Sequence, residues 1–301
     1  LFVNILLFTV PVMLASLFQL LYTTADLFVV GHFGGGSYPM AGVGNNGSLI
    51  NLMVNTFVAV SVGANVVVAK YKGMKDKENA TKAMNSGMLI SLILGLVVGI
   101  GGYFLAHSVL VAMETKSEII DYAEAYLKIY FLGLPFLMIF NFGSAILRAL
   151  GDSKRPLVAL IGCGLINIGL NFLFVLGFHM DHGDLGVKGV AWTTVISEFL
   201  EAALILYFLM DKRYGFVRMS LKHFTLDKKA FLEVLKNGIP AGAESLIFSI
   251  SNVVIQASAN HFLSASAVAG NTASDNLEGY ICVILEAFAV AVSSVSAQNY
   301  G

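Results

Sequence analysis

The chain has 301 residues, of which 57% are hydrophobic and only 12% charged, with a formal net charge of −1. A soluble domain averages about 25% charged residues, so the composition points to an integral membrane protein and offers nothing to bind nucleic acid. The two cysteines, Cys163 and Cys282, fall in apolar spans and read as buried thiols, not as a disulfide framework.

Eight spans follow from length and flanking charge, at roughly 5–33, 47–69, 83–107, 122–147, 156–178, 189–210, 238–262 and 277–298. Each can cross a bilayer, which takes about 20 apolar residues. No stretch alternates as a barrel strand would, so the spans are expected to be helices that satisfy their own backbone in lipid. The first is too long for a signal-peptide core and carries no small-residue cleavage site, so it should stay as a membrane helix. The fold class is therefore all-α, a polytopic helical membrane protein.

The first span, with Pro11 near its start and Gly31 near its end, carries Asp26. An ionised Asp at the centre of a lipid-facing helix costs roughly 2.5–3.5 kcal/mol on insertion scales. Membrane acids therefore face a protein interior or a wet cavity and mark ion paths more often than chance. An Asp close enough to the interface to reach headgroup water is the plainer account.

The loops after spans two, four and six hold 15 of the 18 Lys and Arg residues. The positive-inside rule then places these loops and the N-terminus in the cytoplasm. The last of the three contains a short amphipathic piece, Leu226 to Leu235, expected to lie at the interface.

After that loop the pattern restarts. A shift of 229 residues aligns Pro11 with Pro240, Ser16 with Ser245 and His32 with His261; with one residue dropped, Ala69 meets Ala297. Six spans separate the copies, so both cross in the same direction, as in transporters whose halves are related by an axis along the membrane normal. The expected division is a six-helix lobe over 1–211, a loop over 212–237, and the first two helices of a second, pseudo-symmetric six-helix lobe over 238–301. The chain is expected to be a fragment of a twelve-span parent, since Leu1 stands where Met would and the second copy stops after two spans.

Counting depth from the outer ends at 1.5 Å per residue puts Asp26, Asn171 and Thr194 at a similar level, with Asn167 one turn deeper. One carboxylate, two amides and a hydroxyl fit an oxygen-rich site for a small cation such as Na+. They fit equally the hydrogen-bonding shell of an Asp that loads a proton, or polar residues that glue helices together. Glu286, Glu244, Glu198 and Glu201 lie within spans and are expected to line an interior cavity, Glu286 near the midplane. Glu124 and Lys128, at i and i+4, are expected to pair. His179, Asp181 and His182 form a loop cluster that reads more simply as solvent-exposed than as metal-binding.

Several motifs resemble the multidrug and toxic compound extrusion (MATE) family. Asp26 to Gly31 resembles its D-x-x-x-x-G signature, and Arg148-Ala149-Leu150-Gly151-Asp152 with Pro156 its R-A-x-G-D-x-x-x-P loop. Asn167 to Asn171 resembles N-x-x-L-[D/N], Gly186 to Ala191 with Thr194 the sixth-helix motif, and Gln298 to Gly301 the Q-N-x-G end of a second-lobe helix. The resemblance covers the whole chain and implies a secondary active exporter, not an enzyme. Such a protein antiports amphipathic, often cationic drugs against H+ or Na+ by alternating access, without a cofactor, as a monomer in the plasma (inner) membrane. It also implies coupling at Asp26, Asn167, Asn171 and Thr194; some members carry a second Asp where Asn171 stands here.

The alternative within the same superfold is a flippase for lipid-linked oligosaccharides, which would favour a cationic cavity. A lipid-phosphate enzyme would want a D-D-x-x-D motif, and none occurs in the sequence. A passive channel is disfavoured by the two-lobe repeat.

Overall fold

The computed structural model describes residues 2–33, 37–113, 115, 117–177, 183–211, 217–219, 227–262 and 265–300. Every regular element among them is helical: α1 (Phe2–Phe33), α2 (Ser37–Asn45), α3 (Gly47–Gly73), α4 (Lys77–Ala112), α5 (Ile120–Ala149), α6 (Lys154–Phe172), α7 (Gly183–Met210), α8 (Lys228–Phe262) and α9 (Ala265–Tyr300). Five stretches, Tyr38–Gly73, Lys77–Ala112, Ile120–Ala149, Lys154–Val175 and Leu185–Met210, are long and apolar enough to cross a bilayer. The chain is a helical membrane protein.

The described residues of all eight expected spans are helical, with two differences. The short helix α2 fills what reads in sequence as the loop between the first two spans. The described part of the amphipathic piece forms the first turns of α8, which runs on from Lys228 through Pro240. Asp227 makes this possible: its Oδ1 accepts from the backbone N–H of Ala230 at 2.8 Å and caps the new helix.

The two shorter basic loops share one construction. At the end of α3, the N–H of Lys75 reaches the carbonyl of Lys72 and that of Asp76 the carbonyl of Tyr71, both at 3.0 Å. At the end of α5, Gly151 reaches Arg148 at 2.8 Å and Asp152 reaches Leu147 at 2.9 Å. Both are Schellman turns, which need a left-handed residue just past the helix; Lys75 has φ 57° and Gly151 φ 85°. The following Asp then serves the next helix. Asp76 accepts from Asn79 N at 3.0 Å, and Asp152 accepts from the N–H groups of Lys154 and Arg155 at 3.1 Å each while pairing with Arg155 Nε at 2.8 Å.

Two apolar clusters make the core. One joins α3, α4, α5 and α7 towards the basic-loop end, around Val68, Met84, Phe142 and Ile205; the other lies towards the opposite end, around Val30, Leu127, Leu134 and Val190. Between α4 and α5 the helices approach closely: a side chain at Gly95 would run into the backbone of Pro135.

α3 packs against α8 and α9, and α1 packs against α9. If the halves are related by an axis along the membrane normal, α1·α9 and α3·α8 are equivalent pairs and α3·α9 lies at the axis. The contacts gather near the basic loops. Glu233 of α8 accepts from Lys70 Nζ at 3.1 Å and from the Tyr71 hydroxyl at 2.7 Å. Gln298 of α9 reaches the carbonyl of Ala149 at 2.6 Å, and Gly63 lies so close to the backbone of Val234 and Gly238 that a side chain there would collide.

Candidate functional site

The four residues expected to act together meet in one buried cluster. Asp26 on α1 is 3% exposed, and Asn167, Asn171 and Thr194 are buried beside it. The i, i+4 spacing of Asn167 and Asn171 puts both on one face of α6, and α6 and α7 each pack against α1. Asn171 Nδ2 donates to Asp26 Oδ1 at 2.6 Å and to Asn167 Oδ1 at 3.0 Å, so both its N–H groups are used. The Thr194 hydroxyl lies 3.1 Å from Asp26 Oδ2 and 2.9 Å from the carbonyl of Val190, and can donate to one of them at a time. Just beyond Asn171, α6 widens into a π-helical turn, Leu173–Gly177, a feature often found beside functional sites.

One member was missed in sequence. The Thr193 hydroxyl lies against Asn171 Oδ1 and 2.7 Å from the carbonyl of Val190, and can donate to one of them at a time. The signal available was the Thr193-Thr194 pair itself: neighbours on a helix point about 100° apart, so two hydroxyls can serve two different helices, α6 and α1.

Asp26 and Thr194 face a cavity of about 250 Å³. Glu198, Glu201 and Glu286 also line it, together with Tyr126 and Tyr130. Glu198 and Glu201 are each 5% exposed, whereas Glu286 is largely open. Glu244 corrects the expectation: it is exposed on α8 and is not among the described lining residues, because the turn of α8 carrying it points elsewhere.

The remaining expectations divide. Lys128 Nζ does pair with Glu124 at 2.6 Å, and His107 Nδ1 joins the same carboxylate at 2.6 Å. His179, Asp181 and His182 lie outside the described residues. Both cysteines are free; Cys163 is buried as expected, but Cys282 is only partly so. No group of three or more His, Cys, Asp or Glu residues among the described residues is arranged to hold a metal ion. Any cation at Asp26 would rely on amide and hydroxyl oxygens.

Comparison with known proteins agrees with this architecture. The chain is 30% identical to the "Probable multidrug resistance protein YpnP" of Bacillus subtilis, over 99% of this chain and 65% of that protein. It superposes with a TM-score of 0.89 and 26% identity on a structure described as the outward-facing conformation of a multidrug resistance MATE family transporter of the MOP superfamily, over 99% of this chain and 64% of that one. A MOP superfamily transporter from Pyrococcus furiosus, described as having a binding pocket of reverse polarity that suggests a different function, matches with a TM-score of 0.88 and 26% identity, over 99% of this chain and 64% of that one. The chain thus spans just under two thirds of the length of these relatives. The family model described as MatE matches residues 11–173, more than half of the chain, and the chain belongs to this family of transporters.

Proposed function

We propose that the full-length protein is a secondary active exporter that moves amphipathic, often cationic compounds outward against an inward flow of H+ or Na+, with Asp26 as the coupling group. One observation carries the reading. A carboxylate 3% exposed within a membrane helix lines the central cavity and is held by one donor from α6 and one from α7. A buried acid within a membrane helix is expensive and persists where it has work to do.

Loading the carboxylate removes its charge and alters its grip on Asn171 and Thr194, the links from α1 to α6 and α7. The ion can drive a rearrangement only by binding the two states unequally. A site whose hydrogen bonds join three helices is placed to differ between states. The two candidate ions ask different things of Asn171. A proton needs only the carboxylate. Sodium needs oxygens, and Asn171 turns N–H groups to both Asp26 and Asn167, so its amide would have to rotate.

The contacts between the two copies of the repeat lie near the basic loops, which supports a state closed on that side. With those loops in the cytoplasm of a plasma-membrane protein acting as a monomer, that state accepts ions from outside. Four acids and no Lys, Arg or His stand among the described residues lining the cavity. That polarity favours cationic cargo over a lipid-linked pyrophosphate.

The test is efflux of a fluorescent cation from vesicles holding the full-length protein, under an imposed proton or sodium gradient, for wild type and Asp26→Asn. Efflux driven by one gradient and lost in the variant names the ion. Full activity in Asp26→Asn sinks the assignment, and absence of gradient-driven efflux from a folded wild type transfers the reading to the flippase.

A further inference from the structure

Glu198 has a role that the coupling cluster does not use. It sits on α7 one turn from Thr194, so it shares that face of the helix and lines the same cavity. It is 5% exposed, yet its Oε2 has no hydrogen-bond partner. The reason it fits is Gly133 of α5: a Cβ there would overlap Glu198 Oε2. The missing side chain forms a notch in which the carboxylate is seated against the helix. Beside it, Tyr126 and Tyr130 stack one turn apart on the same helix, with ring centroids 6.3 Å apart and planes at 14°, and both line the cavity.

A buried carboxylate oxygen without a partner is unfavourable while the group is charged, and either a proton or an incoming counter-charge relieves it. No cationic side chain among the described lining residues supplies one. A cation bound against tyrosine rings gains from their π faces as well as from the acid.

We propose that Glu198, seated in the Gly133 notch beside Tyr126 and Tyr130, anchors the cationic head of the transported compound and selects charged over uncharged cargo. The inference rests on the exporter reading and deepens it. Ion and cargo then use different carboxylates on different helices: the ion meets Asp26 of α1 beside Thr194, and the cargo meets Glu198, one turn further along α7. Glu201 and Glu286 line the rest of the cavity and give the field that draws a cation in.

The test uses full-length protein in lipid nanodiscs with two probes, the cation tetraphenylphosphonium and the uncharged N-phenyl-1-naphthylamine. Glu198→Gln is expected to weaken binding of the cation by about tenfold or more, equal to about 1.4 kcal/mol, with binding of the uncharged probe unchanged. Gly133→Ala, whose Cβ would press on Glu198 Oε2 and also on Val195 Cγ2, displaces the carboxylate but keeps its charge; it is expected to show the same selective loss, and it decides the matter if Glu198→Gln fails to fold. Wild type that does not bind the cation, variants that bind it as wild type does, or equal losses for both probes overturn the proposal. Gradient-driven efflux of Asp26→Asn is read separately. Its persistence would remove the coupling assignment and leave the probe selectivity at Glu198 to stand or fall by itself.

Discussion

Asn171 presents its Nδ2, not its carbonyl oxygen, to Asp26, at 2.6 Å from Oδ1. An ionised carboxylate only accepts, so it calls for the N–H side of the amide; the second N–H then faces Asn167 and the amide oxygen lies against the Thr193 hydroxyl. One side chain therefore satisfies three partners on three helices.

Replacing it with alanine strands Asp26 Oδ1 and Asn167 Oδ1, while Thr193 keeps the carbonyl of Val190 at 2.7 Å. Each buried polar group left without a partner costs about 1–3 kcal/mol, so Asn171→Ala is expected to lower thermal stability measurably and to abolish gradient-driven efflux together. Asn171→Asp keeps the volume but loses the N–H donors, and should fold while altering the ion dependence of efflux. Wild-type melting and wild-type efflux in Asn171→Ala would show that the amide is merely a neighbour.

Gly151 and Lys75 occupy equivalent left-handed positions in two Schellman turns. A residue with a Cβ pays a penalty there of roughly 1–2 kcal/mol. Gly151→Ala is expected to destabilise by about that much, and its Cβ would crowd Lys72 Nζ, which donates to the carbonyl of Leu150 at 2.7 Å. Lys75→Gly is expected to do the reverse, with a gain under about 1 kcal/mol because glycine also frees the unfolded chain. Thermal unfolding of the pair checks both signs; a stabilised Gly151→Ala would refute the turn assignment.

The spans were legible because a bilayer imposes a length and a composition on every crossing helix, and the cluster at Asp26 because depth can be counted once orientation is read from the basic loops. What escaped depends on contacts between distant segments. The helix Ser37–Asn45 contains Pro39 and two glycines and holds through its packing on α5 and α7, which no local pattern announces. Thr193 looked like any helical threonine until Asn171 was opposite it. Gly133 is one of 30 glycines, and only the carboxylate of Glu198 lying against it gives it meaning. Glu244 was placed in the cavity by span membership alone, and span membership does not say which way a side chain faces.

Asp76 lies in the loop before α4, where the Asn79 backbone N–H and side-chain amide hold its carboxyl below the ordinary value of 3.8. A group with a depressed folded pKa stabilises fully above its unfolded pKa, and that contribution is lost as pH falls through the folded value. The cap's contribution is thus expected to be complete above about pH 5 and to fade below about pH 4. Asp76→Ala should melt lower than wild type at pH 7, and the difference should shrink as the pH drops below 4. A difference that stays constant with pH would mean that the charge plays no part in the cap.

Glu233 receives Lys70 and Tyr71 at the end where the two copies of the repeat are packed together. The ion pair is partly exposed, with side chains 32% and 22% accessible, and such pairs are worth about 0.2–1 kcal/mol. The tyrosine hydroxyl adds a hydrogen bond to a charged acceptor. Together they hold α3 against α8 by a modest amount, which the proposed alternating exporter would need in order to open this end. Ser61 lies on the same helix, α3, two residues before Gly63, whose backbone approaches α8 closely, and is 1% exposed. In full-length protein with every native cysteine, Cys163 and Cys282 among them, replaced by alanine, Ser61→Cys is expected to react slowly with a maleimide. Adding Glu233→Gln should raise the labelling rate about three- to tenfold, the range of a 0.7–1.4 kcal/mol shift in population. Lys70→Met should produce a smaller rise, because Tyr71 still holds the carboxylate. Unchanged labelling in Glu233→Gln would show that apolar packing of α3 on α8, not the Glu233 contacts, keeps this end shut.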